Sequence, residues 1–190
     1  RALQHAADEL RQDREVVLAA VQQEGEALKY TVEELQWDHE FVLQAVQQNG
    51  WALEHAAPEL QCDPQVVLAA VQHNGQALKY AGEKLRRDSE LVLTAVREDY
   101  QAWHYAAEEA KWDREVLLAY MHRGGSVSLK QAPEEIKQDR DVILAAALQD
   151  GGALEALRHA AAELQGDRDV VLAAVRQDGG ALKYAAKELW

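Results

Sequence analysis

Apolar residues gather in blocks that return about every 25 residues, each announced by an aspartate. That Asp stands at positions 13, 38, 63, 88, 113, 139 and 167, with spacings of 25, 25, 25, 25, 26 and 28. Twelve residues after most of them comes Gly, at 25, 50, 75, 125, 151 and 179, with Tyr100 in one of the places. Within the block, Val17, Ala20 and Val21, joined by Val16 and Leu18, make a broad apolar stripe at helical period. The pattern predicts a helix of about three turns, such as Arg14 to Glu24. The Asp is expected to cap it, because a carboxylate accepts orphan amide N–H groups at a helix start. Pro64, directly after Asp63, fits the first helical position. The Gly is expected at a left-handed C′ position.

A second helical piece follows the Gly, as in Ala27-Leu28-Lys29-Tyr30. Pro58, Gly82 and Pro133 fall in two adjacent columns and would stop a helix already under way. The unit therefore reads as a short helix, a break, one more turn through a Glu-Leu pair, and then the capped helix. No stretch alternates with period two between turn signals, so strands are not expected. Helices this short are unstable alone, and stacking of neighbours supplies the core. The fold expected is an all-α solenoid of about seven and a half 25-residue helix–turn–helix repeats. Residues 1–190 form a single array, regular over 1–125 and irregular, with short insertions, over 126–190. The irregularities lie at Gly124-Gly125-Ser126 and Gly151-Gly152-Ala153.

Charge narrows the function. Asp and Glu number 33 against 20 Lys and Arg, a net charge of −13. A nucleic-acid ligand is not expected, since phosphate binding runs on Lys and Arg, and an anionic membrane surface is disfavoured on the same ground. No apolar run approaches the roughly 20 residues needed to span a bilayer, so no direct membrane insertion is expected. One cysteine, Cys62, leaves no internal disulfide and no Cys-based zinc site. A soluble, intracellular setting is expected, in cytoplasm or an organelle. The chain opens on Arg1 without Met, as a processed product or an excerpt would.

The string A-L-[KE]-[YH]-A-x-x-E-L-x-x-D-R-E-V-V-L-A-A-V-x-x-x-G resembles a family catalogued only as a domain of unknown function. That family is built of tandem units and occurs in many-copy arrays in algae, protists and some intracellular bacteria. The segments Ala2 to Gly25 and Ala156 to Gly179 are closest to its pattern. The resemblance implies an all-helical array and brings no catalytic residue. An algal source would make a plastid a natural compartment.

Enzymatic motifs are absent: there is no G-x-G-x-x-G, no G-x-x-x-x-G-K-[ST], no H-E-x-x-H and no G-x-S-x-G. The one stretch irregular enough for a catalytic cleft is 122–135, around His122, Arg123 and Ser126. One column reads His5, Tyr30, His55, Tyr80, Tyr105, Gln131, His159, Tyr184. His5, His55 and His159 form a candidate ligand ladder for a metal or a pigment's magnesium. Tyr seldom replaces a His ligand, so half-buried packing rings are the preferred reading. Trp103 stands in the Leu column and is expected in the core. Trp37 and Trp112 share a column with Gln12, Cys62, Arg87, Gln138 and Gly166, and Trp51 shares one with Glu26, Gln76 and Gln101. Exposed Trp concentrates at binding hot spots, so Trp37, Trp51 and Trp112 are the candidate partner-binding residues.

The expectation is a non-catalytic structural or protein-interaction scaffold. It would present an acidic solenoid surface to a protein partner or multi-subunit complex, with no cofactor and no metal of its own. The alternative is a peripheral pigment- or cofactor-associated subunit of a larger complex, photosynthetic if the source is algal.

Overall fold

A computed structural model of the protein describes residues 2–189, so Arg1 and Trp190 lie outside the described residues. All regular structure among the described residues is helical. The chain divides into two compact units, Arg1–Ala110 and Lys111–Trp190.

In the first unit each repeat has three helical pieces. One repeat runs through a 3-10 helix at Gly25–Tyr30, a one-turn α-helix at Glu33–Trp37, and a longer α-helix at His39–Gln48. The next repeats it at Gly50–His55, Pro58–Gln61 and Pro64–His73. A third set lies at Gly75–Tyr80, Glu83–Arg86 and Ser89–Glu98. Each long helix starts on the aspartate cap read from the sequence. Asp63 Oδ1 accepts from Gln65 N at 2.9 Å and Val66 N at 3.0 Å, and Asp38 Oδ1 accepts from Phe41 N at 2.8 Å.

The expected left-handed glycine is not what ends these helices. Among the described residues only Gly124 (φ 90°) and Gly151 (φ 71°) have positive φ. The turn is made one residue earlier: Asn49 and Asn74 are extended, with φ −155° and −151°. Their side chains then cap the following 3-10 helix, Asn49 Oδ1 accepting from Trp51 N and Asn74 Oδ1 from Gln76 N. Glycine is needed after them for close approach. A Cβ on Gly50 would lie 2.5 Å from the Ala70 carbonyl oxygen, and one on Gly75 would lie 2.2 Å from that of Ala95. The missing Cβ lets these two 3-10 helices sit against the backbone of the long helix that completes their own repeat.

With three residues per turn, the 3-10 piece is a three-sided post. Gly25 and Leu28 occupy one buried side, and Ala27 with half-buried Tyr30 the second. Glu26 and Lys29, both exposed, make up the third. These posts pack side by side, and the long helices pack beside their successors. Backbone rungs join the one-turn helices: Ala57 N donates to Gln36 O at 3.0 Å, Gly82 N to Gln61 O at 2.8 Å, and Ala107 N to Arg86 O at 2.9 Å. Arg14 reaches across to Asp38 Oδ2 at 2.6 Å and holds that carboxyl below the usual range, so the cap also receives the previous repeat's guanidinium.

Burial follows from stacking. Phe41, Val66 and Leu91, which share one column, are buried at 7% exposure or less, whereas Val16 in the first repeat is 38% exposed. Preceding repeats supply the missing cover in the later cases.

The second unit keeps the long helices, at Arg114–His122, Arg140–Ala147 and Arg168–Gln177. Asp139 and Asp167 repeat the cap, with Arg114 and Arg140 bonded across to them at 2.7 and 2.9 Å. The longer spacings change the connecting piece. After Asp139 it becomes an α-helix, Gly152–His159, because the extra residues release it from the tight 3-10 wind. Pro133, which has no N–H, interrupts the backbone rung that Ala161 N resumes to Lys137 O at 2.9 Å. Leu117, Leu129, Ile143 and Leu157 lie at the centre of this unit's core.

Candidate functional site

The outward side of the 3-10 posts changes from repeat to repeat. On successive posts it carries Glu26 and Lys29, then Trp51 and Glu54, then Gln76 and Lys79. Because neighbouring posts are parallel packed elements, these side chains meet across repeats. Glu24, Glu26, Trp51, Glu54, Lys79 and Tyr80 line a cleft of about 500 Å³.

Within it the Lys79 ammonium lies 4.8 Å from the centroid of the Trp51 ring and 4.4 Å from that of Tyr80. Both distances are inside cation–π range. The two rings meet edge to face, with centroids 6.2 Å apart and planes at 77°. Tyr80 donates its hydroxyl to Glu54 Oε2. Burial and that donation to Glu54 raise the Tyr80 pKa, so it stays a neutral donor. Contact with Tyr80, seconded by Glu54, raises that of Lys79 despite partial burial, so it stays an ammonium. The arrangement is an aromatic corner with a cation on it and three carboxylates around it.

The other candidate tryptophans are placed differently. Trp37 is 49% exposed, on the last turn of Glu33–Trp37. Trp112 is half-buried and packs against the second unit's core. Trp103, expected in the core, is half-buried and meets the His104 ring edge-on at 5.4 Å. The sulfur of exposed Cys62 rests against Gly82.

The histidine column does not converge. His5 is exposed. His159 Nε2 stands 3.0 Å from Glu155 Oε2, one turn earlier in its own helix. His55 is half-buried, its Nε2 is enclosed without a hydrogen-bond partner, and burial lowers its pKa, so the ring is neutral near pH 7. Among the described residues no group of three or more His, Cys, Asp or Glu is placed to hold a metal ion.

A second groove, of about 720 Å³, lies in the second unit between the helices Arg114–His122 and Arg140–Ala147. Leu118, Met121, Leu144 and Leu148 form its floor, and Arg114 and Asp141, bonded to each other, form part of its rim. His122 and Ser126 border it. The sequence pointed to that stretch as irregular, but not to the apolar floor, which is made by half-buried Leu118 and Leu144, buried Met121 and exposed Leu148 just past its helix.

Stacked short helices with neighbour-to-neighbour packing define a helical-repeat protein. The family described as Domain of unknown function (DUF4116) matches residues 1–36, 13–61, 63–109, 113–157 and 155–190. The chain belongs to that family, and its repeats are tandem copies of the family's unit. Comparison with curated proteins and with solved structures gave no match. No helix among the described residues is long and apolar enough to cross a membrane.

Proposed function

We propose that this array is a non-catalytic interaction scaffold in an intracellular setting, and that it docks a protein partner or a larger assembly through the cleft at Trp51. One observation carries the reading. Trp51 is an indole in a column that holds Glu26, Gln76 and Gln101 in the neighbouring repeats, and side chains from three successive repeats gather around it into an open, charged recess. Aromatic anchors set among polar groups are the usual energetic centres of protein interfaces. The structural columns are spent on caps, close approaches and core, which leaves variable outward positions for recognition. Trp37 belongs to the same reading as an exposed anchor, and Trp112, in the second unit, as a further candidate held by that unit's core.

The test is capture of partners from native extract by the wild type, by Trp51→Ser, and by the Trp37, Trp51 and Trp112→Ser triple variant. Trp51→Ser is expected to lose most of the capture, and the triple variant the rest, at unchanged far-UV circular dichroism. Undiminished capture by the triple variant removes the assignment.

A second reading, a peripheral subunit of a pigment- or cofactor-bearing complex, has one observation in its favour. His55 offers a neutral imidazole nitrogen without a hydrogen-bond partner, the form in which histidine ligates a metal. A visible absorption spectrum and metal analysis of the native protein decide it, and a colourless, metal-free preparation removes it.

A further inference from the structure

We infer that the Trp51 cleft takes a cationic side chain of a basic peptide segment, an arginine by preference, and that Lys79 fills the place in its absence. The inference rests on the reading of this cleft as the docking point and adds the chemistry of what docks.

The argument starts from what the cleft already holds. The Lys79 ammonium sits on two aromatic rings, within 5 Å of both centroids. The corner of Trp51 and Tyr80 is therefore shaped for an organic cation, and an intramolecular one marks the spot. Charge points the same way. Glu24, Glu26 and Glu54 line the recess against the single cation Lys79, three negative groups to one positive. An incoming anion would meet this surplus, whereas an incoming cation would be attracted to it and steered by the chain's net charge of −13.

Lys79 is well suited to give way. It is exposed and hangs on a flexible four-carbon stem, so it leaves the rings for water at small cost. A guanidinium gains more there than an ammonium does. Its plane stacks on the indole, and its fork of N–H groups matches a carboxylate such as Glu54. Tyr80, fixed by its bond to Glu54, keeps the second ring in position. The posts before and after lack the arrangement: the Trp51 position is Glu26 in one and Gln76 in the other.

The experiment titrates the whole chain with a hexa-arginine peptide at low salt, followed by calorimetry, with hexa-glutamate as the opposite-charge probe. Wild type is expected to bind hexa-arginine and ignore hexa-glutamate. Trp51→Ala should weaken binding about tenfold, and Trp51→Phe should retain most of it. Lys79→Met should tighten binding about fivefold, by vacating the rings. Lys29→Met, an equal change of charge on the preceding post, controls for bulk electrostatics and should leave affinity within about twofold. Equal affinity in wild type and Trp51→Ala overturns the inference, and so does an equal gain from Lys79→Met and Lys29→Met. If capture from extract depends on Trp51 while hexa-arginine binding does not, the docking reading stands and the cation assignment falls. If hexa-arginine binding depends on Trp51 while capture does not, the cation site stands and its use as the docking point falls.

Discussion

At Asp63 one carboxylate oxygen accepts two amide N–H groups of its own helix, and His39 of the preceding repeat stands 3.6 Å from the same oxygen. Burial alone would raise its pKa. The amides of Val66 and Gln65, with His39, outweigh burial and hold it below the ordinary 3.8. A group whose pKa is depressed on folding stabilises the fold above its unfolded value. That contribution is lost as pH falls through the lower native value. Asp63→Ala should therefore cost about 1 kcal/mol at neutral pH in urea denaturation. Asn, also a good cap, should cost much less. The gap between wild type and Asp63→Ala should narrow as pH falls below about 3.8, by the part that depends on the carboxylate's charge. Asp38, Asp139 and Asp167 are depressed as well, so the acid limb of stability should be set by these caps together. Their role was legible in the sequence because capping is local: an Asp three residues before an apolar run carries its own explanation. The second cap, Asn49 or Asn74, was not. Its column also holds Glu24 and Asp99, and it reads as linker until the extended backbone there is seen.

Among the elements, the 3-10 posts explain both what the sequence revealed and what it hid. Helix, break, turn and capped helix came through from Pro positions and periodicity, and the observed pieces follow that order. The glycine was misjudged at 50 and 75, because a left-handed terminator and a close-approach glycine look alike in a string of letters; of that column only Gly151 is left-handed among the described residues. A paired substitution separates the two. Gly75→Ala should destabilise by about 1–3 kcal/mol, since its Cβ would meet the Ala95 carbonyl. Gly179→Ala should be tolerated in the same thermal scan, because a Cβ there has nothing within 4 Å and its φ is not positive. Trp51 was visible as a stray aromatic in a polar column. Its partners Lys79 and Tyr80 were not, since they lie a repeat away. Lys79 joins it because the posts turn every three residues and present one side outward in register, and Tyr80 reaches it from the adjoining, half-buried side of its post. Trp112 shows the converse: a column that accepts Arg87 and Gly166 suggests solvent, yet its ring packs on the second unit's core.

At the scale of the whole molecule, stability should be uneven in a way the repeats dictate. Within the first unit the helix Arg14–Gln23 leaves Val16 38% exposed and is preceded by Leu10 at 46%. In the helix Pro64–His73 the matching Val66 is fully buried, with Leu60 before it at 8%. Native-state hydrogen exchange should therefore find the amides of 17–23 opening faster than those of 67–73, because the interior helix is covered from both sides. Equal protection of the two would mean that the unit melts as one body. The backbone rungs, such as Ala57 to Gln36 and Gly82 to Gln61, have a wider consequence. Each is made by the same pair of columns, with main-chain atoms that no side-chain change can remove short of proline. A gene of this kind can gain or lose a 25-residue block in register and leave every donor with an acceptor. Copy number is then free to drift, while the outward side of each post is free to be rewritten, one recognition element at a time.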